Sequence, residues 1–424
     1  MRFLWLSPMI GVYVDRLRRQ IDFRQTFSSL RHPNYRLWFW GQLISLFGSW
    51  MQTTALGFLV YELTRSPAYL GYVGFAAGIP TWLFMAYGGV FADRASRRRV
   101  LIATQTAMMV LAFVLAAMTF LHLIQPWHII LLAFLMGAAN AFDAPARHAF
   151  VPDMVPREDL TNAIALNSTI FNSAIAVGPA VAGVTYAIFG PAWCFMINGL
   201  SFLAVIAALL MMNVKPAARK VSDATAWQDL KDGFSYVLGH RLIRTLIFLV
   251  LVTGLFGSSF VVLIPAWAVN ILHGNATTNG WLQSARGVGA LMGALLIASL
   301  GRFNFRGRVL TLGTVAFPTV LLVFAIARWL PAALLALVAS GGALVFTFNI
   351  ANALVQTLVK DELRGRVMGI YSLTFFGFLP VGSLWIGLAA EKFGEPAAVI
   401  INAGALLAFS GLVALLVPQL RRLE

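Results

Sequence analysis

Beyond residue 33, long apolar segments alternate with short polar joins along the whole chain. Twelve of these segments are long enough to cross a ~30 Å hydrocarbon layer as helices, which takes about 20 residues each. They fall at roughly 35–62, 67–92, 100–123, 127–147, 160–189, 192–213, 242–271, 277–300, 309–329, 331–356, 367–390 and 397–418. The joins alternate too. Those at 93–99, 152–159, 215–241, 302–308 and 360–366 are charged, while those at 64–67, 125–126, 190–191 and 273–275 are short and nearly neutral. Basic joins stay on the cytoplasmic side of a membrane. Placing both termini and the charged joins there accounts for all of the 31 lysines and arginines except Arg65, Arg286, Arg328 and Lys392. An even number of spans agrees with that placement.

One longer polar stretch divides the pattern. Trp227, Leu230, Phe234 and Val237 recur within it at near-helical spacing, which predicts an amphipathic helix lying along the membrane. The expected organisation is a cytoplasmic arm at 1–33, a six-helix bundle at 34–213, a linker at 214–241, a second six-helix bundle at 242–418 and a short cytoplasmic tail at 419–424. The halves echo one another. Arg157-Glu158-Asp159-Leu160 precedes span five, and Asp361-Glu362-Leu363-Arg364 precedes span eleven. Gly178-Pro179 and Gly183 in span five correspond to Pro380, Gly382 and Gly387 in span eleven. Arg99-Val100-Leu101 opens span three as Arg308-Val309-Leu310 opens span nine. The expected fold class is therefore an all-α integral membrane protein with twelve transmembrane helices in two six-helix pseudo-repeat bundles. Parallel repeats of this kind place a transport site between the halves.

Composition agrees with the pattern. The chain is 59% hydrophobic and 11% charged, against about 25% charged residues in soluble domains. A net charge of +15 would suggest nucleic acid elsewhere, but here the basic joins explain it, and no nucleic-acid partner is expected. Cys194 is the single cysteine, and the six histidines make no metal-ligand spacing, so neither a disulfide framework nor a metal site is expected. The segment before His32 is apolar but short, broken by Ser7 and Pro8 and followed by Arg16, Arg18 and Arg19. It reads as a retained arm on anionic headgroups. No G-x-S-x-G, H-E-x-x-H or phosphate-loop motif is present, so the chain is not expected to be an enzyme or to hydrolyse ATP; transport would draw on an ion gradient, without a cofactor.

The join after span two carries the densest chemistry: Gly88, Gly89, Asp93, Arg94, Arg97, Arg98 and Arg99. Small residues allow close helix approach, and an acid among arginines at a helix end can hold a gate by a breakable ion pair. The same residues also serve as a plain orientation signal. The order Gly89, Val90, Phe91, Ala92, Asp93, Arg94, Ala95, Ser96, Arg97, Arg98 resembles the G-x-L-A-D-R-x-G-R-K signature of the major facilitator superfamily, with Phe91 and Ser96 as departures. Gly178, Pro179 and Gly183 are similar to the end of that superfamily's antiporter motif; Ala165 and Ala174 replace its upstream glycines. The run Asp361 to Met368 and the segment Leu30 to Trp38 resemble the bacterial exporter subgroup that includes the enterobactin exporter. The resemblance implies alternating access and proton coupling, in a monomer of the inner membrane with a small-molecule substrate. On it, Gly89, Asp93, Arg94, Arg97, Arg98, Asp361, Arg364 and Arg366 form the gate, with Arg97 and the Arg364–Arg366 end as partners of Asp93.

Polar residues inside spans face a cavity or another helix. Gln42, Ser45, Ser49 and Gln52 share one face of span one. Asn167 and Asn172 in span five, Asn349 and Asn352 in span ten, and Arg286 in span eight are further cavity candidates, with helix–helix bonding the competing role. Asp143 and Arg147, one turn apart in span four, are the coupling candidates or an ion pair closing one side. The functional expectation is an exporter of amphiphilic drug- or siderophore-type molecules. Import on the same fold, and a non-transporting sensor or membrane-embedded enzyme, remain the alternatives.

Overall fold

A computed structural model describes residues 27–94, 96–214, 226–300 and 305–423, with side chains for all of these except 85–94, 226–230 and 300. Most of the N-terminal arm, the start of the linker, and the side chains of Gly89, Asp93 and Arg94 lie outside the described residues.

Twelve long helical elements follow one another: Pro33–Thr64, Pro67–Arg94, Arg97–Phe120, Pro126–Phe150, Arg157–Phe189, Pro191–Met211, Arg241–Ile271, Ala276–Leu300, Arg306–Ile326, Leu330–Leu358, Arg364–Phe393 and Glu395–Leu416. They are spans one to twelve. Eleven are apolar enough to cross a membrane on their described residues; span two carries side chains outside that set. Proline stands in the first turn of several spans, where its missing N–H costs nothing and its fixed φ favours the helix. Helices outrun the apolar pattern where polar residues continue the turn. Span four runs on through Pro145, Arg147 and His148 to Phe150, and span eleven begins at Arg364 and ends at Phe393.

Span seven departs from a plain helix. It is α-helical to Val252, widens to a π turn over Thr253–Gly257, tightens to 3-10 geometry over Ser258–Leu263, and ends in another π turn over Trp267–Ile271. The apolar run alone predicts an unbroken helix there. The linker helix Ala226–Gly239 precedes span seven. Its Gly233 packs on Ile370 and Arg366 of span eleven, Val237 is buried, and Asp232 pairs with Arg366 at 3.4 Å.

The repeat is visible in the backbone. The join from span one to two turns through Arg65 (φ 53°), and that from seven to eight through His273 (φ 50°). Span five passes to six through Gly190 (φ 87°), and eleven to twelve through Gly394 (φ 83°). These left-handed conformations favour glycine, and the two Gly joins use it. Packing repeats as well: span two lies on four as eight lies on ten, three on six as nine on twelve, and two on eleven as eight on five. The last pair of contacts joins the halves.

Buried clusters divide the molecule into a face that carries the charged joins, here the basic face, and an opposite neutral face. At the basic face the two cores are separate. One holds Tyr35, Trp38, Leu101, Phe150 and Leu209 of the first half; the other holds Leu246, Leu310, Leu354, Val367 and Leu420 of the second. At the neutral face Tyr61, Leu70, Tyr186 and Phe195 share a cluster with Ala266 and Ala276 from the other half.

Candidate functional site

A cavity of about 480 Å³ lies mainly among spans one to six and reaches spans seven and eight. Its walls are largely apolar, with Leu46, Trp50, Met108, Leu115, Met136 and Phe202 among them. Such a lining with few polar groups suits an amphiphilic small molecule. Ser45, Ser49 and Gln52 of span one reach it, as do Gln105, Asn140, Asp143, Arg147, Asn198 and Gln283.

The polar groups are ordered by specific bonds. Asn198 Nδ2 donates to Gln52 Oε1 at 2.8 Å, and Ser201 Oγ donates to the Asn198 carbonyl at 2.7 Å. Gly48 makes this approach of spans one and six close: a Cβ there would lie 2.7 Å from Asn198 Oδ1. Replacing Gln52 by alanine leaves the Asn198 amide without its acceptor. The expected result is a stability loss of about 1–3 kcal/mol, read as a lower melting temperature of the purified protein, and Asn198→Ala in the same background should add little.

Asp143 is the most constrained group. It is 1% exposed. Its Oδ1 accepts from Thr104 Oγ1 and Gln105 Nε2, both at 2.8 Å. Its Oδ2 accepts no hydrogen bond, and the Arg147 Nε lies 3.6 Å away. Span three supplies both donors, which the one-turn spacing of Asp143 and Arg147 does not reveal.

Other sequence candidates sit outside this lining. Gln42 is buried and its Nε2 has no partner. Asn172 Nδ2 turns back to the Ser168 carbonyl of its own helix, and Gln356 bonds to Asn352 along span ten. Asn167 is half-buried and Asn349 exposed. Arg286 lies on span eight with its Nε buried and unpartnered; its carbonyl packs where Gly341 of span ten has no side chain. At the basic face Arg97 donates to Asp153 Oδ1 at 3.0 Å and to the Ala149 carbonyl, and Arg98 to the carbonyls of Leu209 and Leu210. Arg364 pairs with Asp361. Among the described residues no cluster of His, Cys, Asp and Glu is placed to hold a metal.

The halves meet along glycines and prolines from the neutral face inward. A Cβ on Gly387 would lie 2.7 Å from Gly71 Cα, one on Gly74 2.9 Å from Ser383 Cβ, and one on Gly183 2.6 Å from the Ala276 carbonyl. Gly178 instead packs on Trp50 of span one, and at the adjacent Pro179 turn the Ala180 N–H donates to Ser284 Oγ of span eight at 2.9 Å. Sequence reading missed a second set of groups here. Glu391 Oε2 of span eleven accepts from Ser66 Oγ at 2.7 Å and from the Ala68 N–H at 3.2 Å, capping span two from the opposite half. Tyr186 bonds to Glu62, and Asn270 Nδ2 donates to Glu395 at 2.6 Å. A second cavity of about 430 Å³, lined by Tyr61, Glu62, Arg65, Tyr186 and Asn275 among others, lies on the neutral side of this closure. Position near a span end was the only signal these acids gave.

The model of a family described as transmembrane secretion effector matches residues 24–424. The staphyloferrin A transporter of Staphylococcus aureus is 24% identical, with 85% of this chain and 90% of that protein covered. The multidrug efflux pump Tap of Mycobacterium tuberculosis is 28% identical over 94% of this chain and 96% of its own, and the macrolide efflux protein A of Streptococcus pyogenes 22% identical over 94% and 99%. The solved structure of a mutant of the nucleoside transporter NupG superposes with a TM-score of 0.72 at 16% identity, covering 92% of this chain and 99% of that one. A POT family transporter in complex with a thioalcohol-conjugated peptide gives 0.73 at 10% identity, with 91% and 96% covered.

Proposed function

Because the chain belongs to the transmembrane secretion effector family of major facilitator transporters, we propose that it exports amphiphilic small molecules of drug or siderophore type by alternating access. The single observation that carries this reading is the largely apolar cavity with a polar pole, set beside an interface closed toward the neutral face. The names of its efflux and siderophore relatives support the direction and the substrate class. The basic face is the cytoplasmic one on the lysine and arginine bias, so the cavity loads from the cytoplasm. Protons drive the cycle through Asp143, and the transporter acts as a monomer in the cell membrane.

The test is uptake into everted vesicles. Substrate should accumulate on energisation, and an uncoupler should abolish accumulation. Accumulation in intact cells instead of depletion would overturn the export direction.

Two gates follow from this reading. The Asp93 carboxylate latches the basic face in the other half of the cycle, so Asp93→Asn should lose turnover while keeping substrate binding; an unchanged transport rate would remove that role. Glu391 latches the neutral face. Losing a helix cap costs about 1 kcal/mol, about fivefold in an equilibrium. Glu391→Ala should therefore increase labelling of a cysteine at the buried Ala276 by an impermeant thiol reagent, whereas Glu391→Gln, which keeps an acceptor oxygen, should not.

A further inference from the structure

Six arginines meet on the basic face of the second half; their own segments carry no acid among the described residues, Glu424 lying outside that set. Arg241 and Arg244 open span seven, Arg306 and Arg308 open span nine, and Arg421 and Arg422 end the chain's short 3-10 tail, Pro418–Arg422. These segments are far apart in sequence, and the fold brings them together. Leu420 of the tail shares a buried cluster with Ile243, Leu246 and Leu310, which lie within a turn of the arginines on the other two elements. The Gly307 N–H donates to the Leu423 carbonyl at 3.0 Å, so the tail is pinned between Arg306 and Arg308. Arg241 donates to the Leu416 carbonyl at the end of span twelve at 2.9 Å.

A topology signal requires basic residues on one side of the membrane, but it requires no such assembly. Of the other basic-face arginines, Arg97, Arg147, Arg364 and Arg366 each pair with an aspartate, whereas Arg36, Arg98, Arg99 and Arg157 make no ion pair among the described residues. Among the described residues none of the six makes an ion pair. All are at least partly exposed. Like charges held together repel, and a bound anion would offset that repulsion. They stand at the ends of spans, at the depth of lipid headgroups, where guanidinium groups bind phosphate through paired hydrogen bonds.

We propose that this arginine cluster, at the joint of spans seven, nine and twelve with the tail, is a binding site for the headgroup of an anionic phospholipid. The proposal rests on the membrane-spanning fold alone and is independent of the transported substrate.

The experiment titrates phosphatidylglycerol into the purified protein in neutral detergent and counts bound lipid by native mass spectrometry, with phosphatidylcholine and glycerol phosphate as comparisons. The unmodified protein should retain phosphatidylglycerol selectively. Replacing Arg306, Arg308, Arg421 and Arg422 together by glutamine should weaken retention by at least about tenfold, since each basic residue near an anionic surface contributes to attraction. Replacing Arg36, Arg99, Arg157 and Lys360 by glutamine removes the same charge elsewhere and should leave retention within about twofold. Gly307→Ala tests position without changing any charge: its Cβ would overlap the Leu420 carbonyl oxygen, so the tail must move. It should lose most of the selective retention. Equal losses in the two quadruple variants, or full retention in Gly307→Ala, would reduce the cluster to general basic charge and overturn the site. Competition by glycerol phosphate as strong as by the lipid would assign the cluster to a soluble anion and overturn the lipid assignment.

Discussion

Replacing Gly280 by valine is expected to abolish transport while leaving a folded protein in the membrane. Gly280 opens the inner part of span eight against span five. A Cβ there would overlap the Pro179 carbonyl oxygen and lie 3.0 Å from Gly183 Cα. Both obstacles are backbone on the opposite half, so no rotamer relieves them. With alternating access as proposed, opening of the neutral face would break this contact. Each half keeps its own packing, as its separate basic-face core shows. Overpacking of this kind costs about 1–3 kcal/mol, and the two states of a transporter differ by a few kcal/mol. The halves should therefore part at the neutral face and stay parted. Two measurements check this. Vesicle uptake should fall to background, and a cysteine placed at Ala276, buried in the cluster that joins the halves, should become readily labelled by an impermeant reagent. The native Cys194 is buried and contributes no signal. Gly404→Val serves as the control, since a Cβ there meets nothing within 4 Å. If Gly280→Val transports normally and labels no faster than the parent, the glycine seam is not the moving interface.

The seam also shows what the sequence discloses and what it withholds. The twelve spans were legible because membrane crossing is a matter of composition: about 20 apolar residues are required whatever they pack on. Gly178, Pro179 and Gly183 could be singled out by their echo in span eleven and their likeness to the antiporter motif. Their partners could not be named, because Ala276, Gly280 and Ser284 become neighbours only through the docking of the two halves. The same limit governs the polar groups. The stripe of Gln52, Ser49 and Ser45 was visible from helical spacing, whereas the Asn198 that fixes Gln52 lies on another span 146 residues away. Glu391 and Ser66 are 325 residues apart. Proximity in sequence pairs Arg97 with Asp93, whose side chain lies outside the described residues; in the fold Arg97 donates to Asp153. The broken geometry of span seven was hidden for a different reason. Thr253–Ile271 is apolar on average, so hydropathy carries no mark of the π and 3-10 turns; Gly254, Gly257, Ser258, Ser259 and Pro265 were the signal available there.

Asp143→Asn is expected to uncouple transport from the gradient. Asp143 is a carboxylate on the wall of the main cavity, buried to 1% exposure. Its two oxygens differ. Oδ1 holds Thr104 and Gln105, so the position of the side chain survives changes at Oδ2. Oδ2 accepts no hydrogen bond and faces Arg147 at 3.6 Å. A proton can therefore join Oδ2 without breaking either bond to span three, and doing so releases Arg147 from its only nearby anion among the described residues. Asparagine keeps the Oδ1 acceptor and removes the charge. Gradient-driven uptake should drop by at least about tenfold, the scale of a lost positioned proton acceptor. Substrate binding and counterflow exchange, which need no net proton movement, should persist. A structural ion pair makes the opposite forecast. Removing one partner of a buried pair leaves an uncompensated charge and costs about 3–5 kcal/mol, so Asp143→Asn would lower stability and Arg147→Gln added to it would restore both stability and uptake. The double variant decides between them. With Asp143 as the proton carrier, Asp143→Asn/Arg147→Gln recovers its melting temperature yet stays uncoupled, because among the described residues no other carboxylate lines the cavity to take the proton.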